Sequence, residues 1–221
     1  MMNAHSQSSP SRVFIVDLGT SNVGSVQKMF ARIGCEPLLV TSPSEANQKI
    51  PVVLPGVGHF SKAIDALRQN NWLDWLNKLH ANDRPILGIC LGAQLMCDTS
   101  EEGDGSGLGW ISTKVCRFPE FGPDGLKLRI PHMAWQTFSP PDCCLPFAAP
   151  AGRMYYAHSF YIAPTPDAAQ SPYQSEYGGV RFAAAVRSRN ALGLQCHPEK
   201  SHRHGMVLLK NWLLWAQGLC T

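Results

Sequence analysis

The sequence predicts an α/β fold, with a mostly parallel central sheet flanked by helices and a strand-rich C-terminal half. Three observations carry this. Short, almost continuously apolar runs at 13–16, 37–40, 52–54 and 85–89 alternate with stretches of helical periodicity. After Gly109 the rhythm changes to longer strand-like segments separated by Gly, Pro and Asn. Finally, 221 residues that are 44% hydrophobic and only 16% charged hold enough apolar side chain for one large core, which excludes disorder as the main state.

Taken in order, residues 1–11 are Ser-rich and polar and read as a flexible tail before a single domain spanning 12–221. Val13 to Val16 is a buried strand running into the turn Asp17-Leu18-Gly19-Thr20-Ser21-Asn22. Val23, Val26, Phe30 and Ile33 then recur at helical spacing, and Gly34 stops that helix. Helices are expected over 60–69 and 72–81, and another from about Gly92 to Asp98. In the second half, 109–118, 127–138, 154–162 and 181–196 read as strands, with a hairpin turn at Arg187-Ser188-Arg189-Asn190. A final helix covers about 203–217. Trp72 and Trp75, like Trp212 and Trp215, recur at three-residue spacing, which is core packing.

Nineteen basic against sixteen acidic residues is a mild balance that gives nucleic acid no footprint. It is unevenly spread: six Lys/Arg face only Glu199 between Arg181 and Lys210. The most apolar late stretch, Met206 to Leu219, is interrupted by Lys210, Asn211 and Gln217 and is too short for a membrane span. Eight cysteines occur without a Cys-x-x-Cys pair, so zinc ribbons and thioredoxin-type sites lack support. The polar N-terminus has no apolar signal core, and reduced thiols in a cytoplasmic protein are expected. A mutual Cys143–Cys144 disulfide would be strained.

Three motifs carry chemistry. Gly88-Ile89-Cys90-Leu91-Gly92 lies where an apolar strand meets a helix, the nucleophile-elbow pattern with Cys in place of Ser. A thiol at a helix N-terminus gains thiolate character from the peptide dipoles. Leu54-Pro55-Gly56-Val57-Gly58-His59 ends another strand in a turn whose freed N–H groups can receive an oxyanion. No G-K-[ST] follows, so it is not a phosphate loop. In Gln195-Cys196-His197-Pro198-Glu199-Lys200, an extended segment would put His197 and Glu199 on one side, an acid–base imidazole beside its orienting carboxylate. Taken singly, each motif has an ordinary explanation: a buried thiol, a tight turn, a loop.

Together, in this order and spacing, they resemble the class I (triad) glutamine amidotransferases, and within them the glutaminase subunits of imidazole glycerol phosphate synthases. Ser100-Glu101-Glu102-Gly103, Pro131-His132-Met133, His158-Ser159 and Lys200-Ser201 extend the likeness over about residues 12–217. The resemblance implies a flavodoxin-like class I amidotransferase fold. It implies Cys90 as nucleophile, His197 as general acid/base and Glu199 as its orienter. Backbone near Val57 or Gly58, with Leu91, would receive the oxyanion. Gly56, Gln94, Glu102, Ser159 and Phe160 would bind L-glutamine, and no cofactor or metal is expected.

The resemblance also implies a heterodimer with a (β/α)₈-barrel synthase subunit. The ammonia would pass to it, and Asn22, Trp135 and Lys200 would lie at the interface. The products would be imidazole glycerol phosphate and an aminoimidazole carboxamide ribotide of histidine biosynthesis. The chain departs from the family pattern at Ala134, Gln136 and Cys196. Two other readings stay open: a paralogue amidinating a surface-polysaccharide sugar, and a free-standing γ-glutamyl hydrolase.

Overall fold

A computed structural model describes residues 11–19, 23–46, 49–140, 145–149 and 151–220. Asn22, Cys143 and Cys144 lie outside the described residues, as do 1–10 of the expected tail; Ser11 already belongs to the first strand.

The first half builds the parallel part of the sheet. β1 (Ser11–Val16), β2 (Cys35–Val40), β3 (Val52–Gly56) and β4 (Ile86–Cys90) are joined by α1 (Val23–Arg32), α2 (Phe60–Gln69) and α3 (Trp72–Ala81). These strands are apolar throughout because both faces are covered. Val13 and Ile15 join the core under α1, while Phe14 and Val16 face the core under α2 and α3. Trp72 and Trp212 are almost fully buried, one on each side of the sheet.

The chain continues through α4 (Leu91–Gln94), β5 (Cys97–Ser100), β6 (Ile111–Arg117), β7 (His132–Phe138), β8 (Gly152–His158), β9 (Phe160–Ile162), β10 (Tyr173–Tyr177), β11 (Val180–Ser188), β12 (Ala191–Leu194) and α5 (His202–Gly218). The seven-stranded sheet runs β10-β11-β12-β4-β3-β1-β2, with β5-β6-β9 and β7-β8 as smaller sheets. All pairings from β12 to β2 are parallel, whereas β10 and β11 add an antiparallel edge. β12 pairs with β4 in register Leu194↔Ile89, and β3 with β4 in register Gly56↔Cys90. The three sequence motifs therefore leave the sheet at neighbouring strand ends. No described helix is long and apolar enough to cross a membrane.

The structure corrects several sequence expectations. The helix expected from Gly92 to Asp98 is a single turn, and Cys97, expected within it, lies on β5. The carbonyls beyond α4 are taken by the segment 107–111. Leu108 N–H donates to Leu95 O at 2.8 Å, Trp110 N–H to Met96 O at 2.9 Å and Gly107 N–H to Asp98 O at 2.7 Å. Those long-range bonds outcompete continuation of a helix.

The segment 127–138 is strand only from His132. The segment 154–162 breaks at Ser159 into β8 and β9, which pair in different sheets. The segment 181–196 is a hairpin whose turn is only Arg189-Asn190, with Ser188 facing Ala191. β10 is an additional strand, joined to β11 through Gly178 and Gly179 at φ +55° and +74°. That Gly-Gly turn was its available signal.

Candidate active site

At the end of β4 the chain turns sharply on Cys90 itself, which sits at φ 53°, ψ −107°. For a non-glycine residue this is a strained conformation, costing about 1–3 kcal/mol. The surrounding glycines serve another purpose, close approach. A Cβ on Gly92 would lie 1.8 Å from Leu54 O, and one on Gly88 would lie 2.7 Å from the Gly92 carbonyl. β3, β4 and α4 therefore meet backbone to backbone beneath Cys90. α4 has only four residues, so the expected dipole support for a thiolate is slight. The charge beside Cys90 comes instead from His197.

His197 follows β12 and is held by main-chain bonds. Its N–H donates to Tyr155 O at 2.8 Å, and Ser201 Oγ donates to His197 O at 2.6 Å while accepting Tyr155 N–H at 2.9 Å. Residues 198–200 form a 3₁₀ turn, not the extended segment expected. The turn still brings His197 Nδ1 within 2.9 Å of Glu199 Oε1, with both side chains buried. Gly205 lets α5 pack under this turn, since a Cβ there would lie 1.8 Å from Pro198 O. Burial alone would depress the His197 imidazole. Attraction to and hydrogen bonding with Cys90, then the same from Glu199, outweigh it and push the pKa up to about 10. The arrangement favours a protonated imidazole facing Cys90 Sγ.

Beside Cys90 opens a cavity of about 200 Å³, lined by Val57, Gly58, Leu91, Gln94, Glu102, Pro131, Ala157, His158, Ser159 and Phe160. Seven of these, Val57, Gly58, Leu91, Gln94, Glu102, Ser159 and Phe160, are site residues that the resemblance implies. Gly56 lies outside this lining. It is the last residue of β3, and a Cβ there would come within 2.8 Å of Gly92 N and Leu91 Cβ. Glu102 Oε2 accepts Phe60 N–H at 2.9 Å, which fixes its carboxylate against the start of α2. Trp135 lies on the outer face of the β7-β8 sheet, stacked on His202 at 5.2 Å, and Lys200 is exposed.

Nothing in the sequence marks Gln195 for a role or pairs His132 with His158. Gln195 is fully buried, with Nε2 3.9 Å from Cys90 Sγ and Oε1 accepting from Gln94 Nε2 at 3.3 Å. Its place in the same motif as His197 was the only signal. His158 Nδ1 faces Phe160 O at 2.8 Å and must carry the proton there. His158 Nε2 then accepts from His132 Nδ1 at 3.1 Å. Cys196, next to His197, is a buried thiol whose pKa is raised by burial. Cys35 and Cys97 are likewise buried and raised.

Burial lowers the His132 and His158 pKa values to about 4 and about 3. The native pair therefore stays neutral at pH values where unfolded histidine, with a pKa near about 6.5, takes up protons. The unfolded state binds more protons, so this contribution is full above about pH 6.5 and is lost as pH falls toward 4 and 3. The slope approaches about 2.7 kcal/mol per pH unit for two protons. Urea denaturation at pH 7, 6 and 5 is expected to show it. The double variant His132→Gln, His158→Gln should lose that part of the slope; an unchanged slope would show that neither histidine is held neutral.

Both the sequence and the fold have known relatives. The family model "Glutamine amidotransferase class-I" matches residues 14–215. Imidazole glycerol phosphate synthase subunit HisH 2 of Methanococcus maripaludis is 36% identical over 204 residues, covering 91% of this chain and 98% of that protein. The HisH 2 subunit of Parasynechococcus marenigrum is 38% identical over 205 residues, covering 92% and 94%. Among solved structures, a glutamine amidotransferase crystal structure superposes with a TM-score of 0.69 at 15% identity, over 93% of this chain and 98% of the other. PurLQS from Thermotoga maritima gives 0.65 at 17%, over 96% and 100%. These structural likenesses speak for the fold. With the elbow, the buried His–Glu pair and the adjoining cavity at one end of such a sheet, the chain belongs to the class I glutamine amidotransferases.

Proposed function

We propose that this protein is the glutaminase subunit of an imidazole glycerol phosphate synthase. It would act in the cytoplasm and pass ammonia to a (β/α)₈-barrel synthase subunit within a heterodimer. The observation that carries the chemistry is Cys90 on a strained elbow between a buried His197–Glu199 pair and a cavity of glutamine size. The relatives named as HisH subunits, matched almost end to end, support the pathway.

In this reading Cys90 Sγ attacks the side-chain amide carbon of L-glutamine, and the carbonyl electron pair moves onto oxygen. The N–H of Val57 or Gly58, with that of Leu91, receives the oxyanion. His197, oriented through Nδ1 by Glu199, delivers a proton to the amide nitrogen, the C–N bond breaks and ammonia leaves. A glutamyl thioester remains. His197 then takes a proton from water, hydroxide adds to the thioester carbon, and glutamate departs as the C–S bond breaks. Gln94, Glu102 and the backbone of Ser159 and Phe160 hold the amino-acid end of the substrate. Trp135 and Lys200 face the partner, as the family resemblance alone implies for Asn22, and the partner receives ammonia for a phosphorylated substrate on the histidine pathway.

The test is capture of the native partner from cell extract, followed by glutaminase assay with and without it. A barrel synthase that raises turnover supports the reading. Partner-independent turnover would instead indicate a γ-glutamyl hydrolase. Failure of the well-expressed protein to rescue a strain lacking the histidine-pathway glutaminase would point to a paralogue with a different acceptor. Glu199→Gln is expected to lower kcat by about 10²-fold or more, because the imidazole loses its orienting charge. A kcat within twofold of wild type would remove Glu199 from the triad.

A further inference from the structure

We infer that Gln195 is a positioning residue that holds the Cys90 sulfur as a hydrogen-bond acceptor and fixes the polarity of the Gln94 amide. The inference deepens the glutaminase reading and rests on it.

A main-chain carbonyl only accepts, so the Gln94 group 2.8 Å from Phe160 O must be its NH₂. Phe160 O is fixed from a second side by His158 Nδ1 at 2.8 Å, and His158 is braced by His132. The second N–H of Gln94 points to Gln195, 3.3 Å away, which must present Oε1. Gln195 therefore turns its own NH₂ toward Cys90 Sγ, at 3.9 Å. No flip of either amide satisfies the chain, because each would set donor against donor or acceptor against acceptor. With both Gln94 protons engaged, only its Oε1 is left for substrate. That oxygen takes a donor such as an α-ammonium and repels an α-carboxylate.

Two consequences follow from one side chain. The Gln195 N–H groups stabilise negative charge on the sulfur, which affects the chemical step. Its Oε1 orders Gln94, which affects binding of the amino-acid end. Gln195 is fully buried, and its main-chain N–H donates to Ala184 O at 3.1 Å, so the backbone that carries it is fixed.

The test uses near-isosteric variants of the full chain with its partner present. Gln195→Met removes both functions. It should slow alkylation of Cys90 by iodoacetamide, lower kcat about ten-fold or more and raise KM for glutamine about ten-fold. Gln195→Glu keeps the acceptor but sets a carboxylate against the sulfur. It should leave KM within about twofold while kcat falls at least as far as in the Met variant.

In a Gln94→Met background, Gln195→Met should raise KM no further yet still lower kcat. Equal KM increases in both backgrounds, or wild-type alkylation of Gln195→Met, would overturn the inference. Should Gln195→Met not fold, the KM-against-kcat split of Gln195→Glu decides alone: a KM raised as far as kcat is lowered overturns it. Protection of wild-type Cys90 from alkylation by glutamine tests the glutaminase reading separately. Its absence would remove that reading whatever the Gln195 variants do.

Discussion

Cys90→Ser is expected to bind glutamine and to lose its hydrolysis by about 10⁴-fold or more. The hydroxyl keeps the size and polarity of the side chain at the cavity edge. It is a far weaker nucleophile, however, and at neutral pH it forms no anion to pair with the raised imidazolium of His197. Removing the nucleophile from a triad costs nearly everything the triad contributes, because the remaining members have nothing to activate. The fold should survive. Cys90 is one buried side chain among the residues of the core on α1 and α5, and serine fills almost the same volume. The measurements are ammonia release with the partner present and glutamine binding by calorimetry. Wild-type-like release would overturn the assignment of Cys90, and lost binding with intact stability would show that the thiol also anchors substrate.

Gly92→Ala is the second large effect, and it acts through the backbone. The added methyl would stand 1.8 Å from Leu54 O and 2.9 Å from Leu54 C. Neither atom belongs to a flexible side chain. β3 is held on both sides, by β1 and by β4, so Leu54 cannot retreat without breaking the parallel ladder. The expected cost is about 3 kcal/mol or more, with Tm lowered by about 6–12 °C in a chain of this size. Residual folded protein should also lose activity, because the clash pushes α4 away and carries Leu91 N–H and Gln94 from their places at the cavity. The same substitution at Gly218, where an added Cβ meets nothing within 4 Å, is expected to be neutral or slightly stabilising. Thermal denaturation of both variants, read with the glutaminase assay, checks the contrast. An unchanged Tm for Gly92→Ala would show that β3 and α4 are not in backbone contact there.

Where the sequence was easy to read, the cause was local. Val13 to Val16 and Val52 to Leu54 had to be strands covered on both faces, since no polar side offered itself to water. α2 and α3 followed from apolar residues at helical spacing, and the terminal helix did too. Harder regions were those where distant backbone competed. Nothing between Leu95 and Asp98 says that residues 107–111 will capture its carbonyls, so a longer helix was the natural expectation. Likewise Pro198-Glu199-Lys200 reads as extended, yet the Ser201 hydroxyl draws it into a 3₁₀ turn against β8.

The candidate site divides in the same way. Cys90, His197 and Glu199 stood out because each sits in a motif with its own chemistry, and the cavity beside Cys90 collects Gln94, Glu102, Ser159 and Phe160 from three separate stretches of chain. Gln195 had no such mark. A glutamine before the motif's cysteine and histidine says nothing about where its amide points.

From the sequence alone came the α/β class, the order of the motifs and the residue types able to do the chemistry, since composition and periodicity are properties of neighbours along the chain. Tertiary structure decided which of those groups meet, and in what polarity. Gln94 reaches Phe160 across 66 residues and Gln195 across 101. Their donors and acceptors are fixed by the registers of β4 and β12 and by the β8–β9 break, and a hydrogen bond between such distant partners leaves no periodic trace in the sequence to be read.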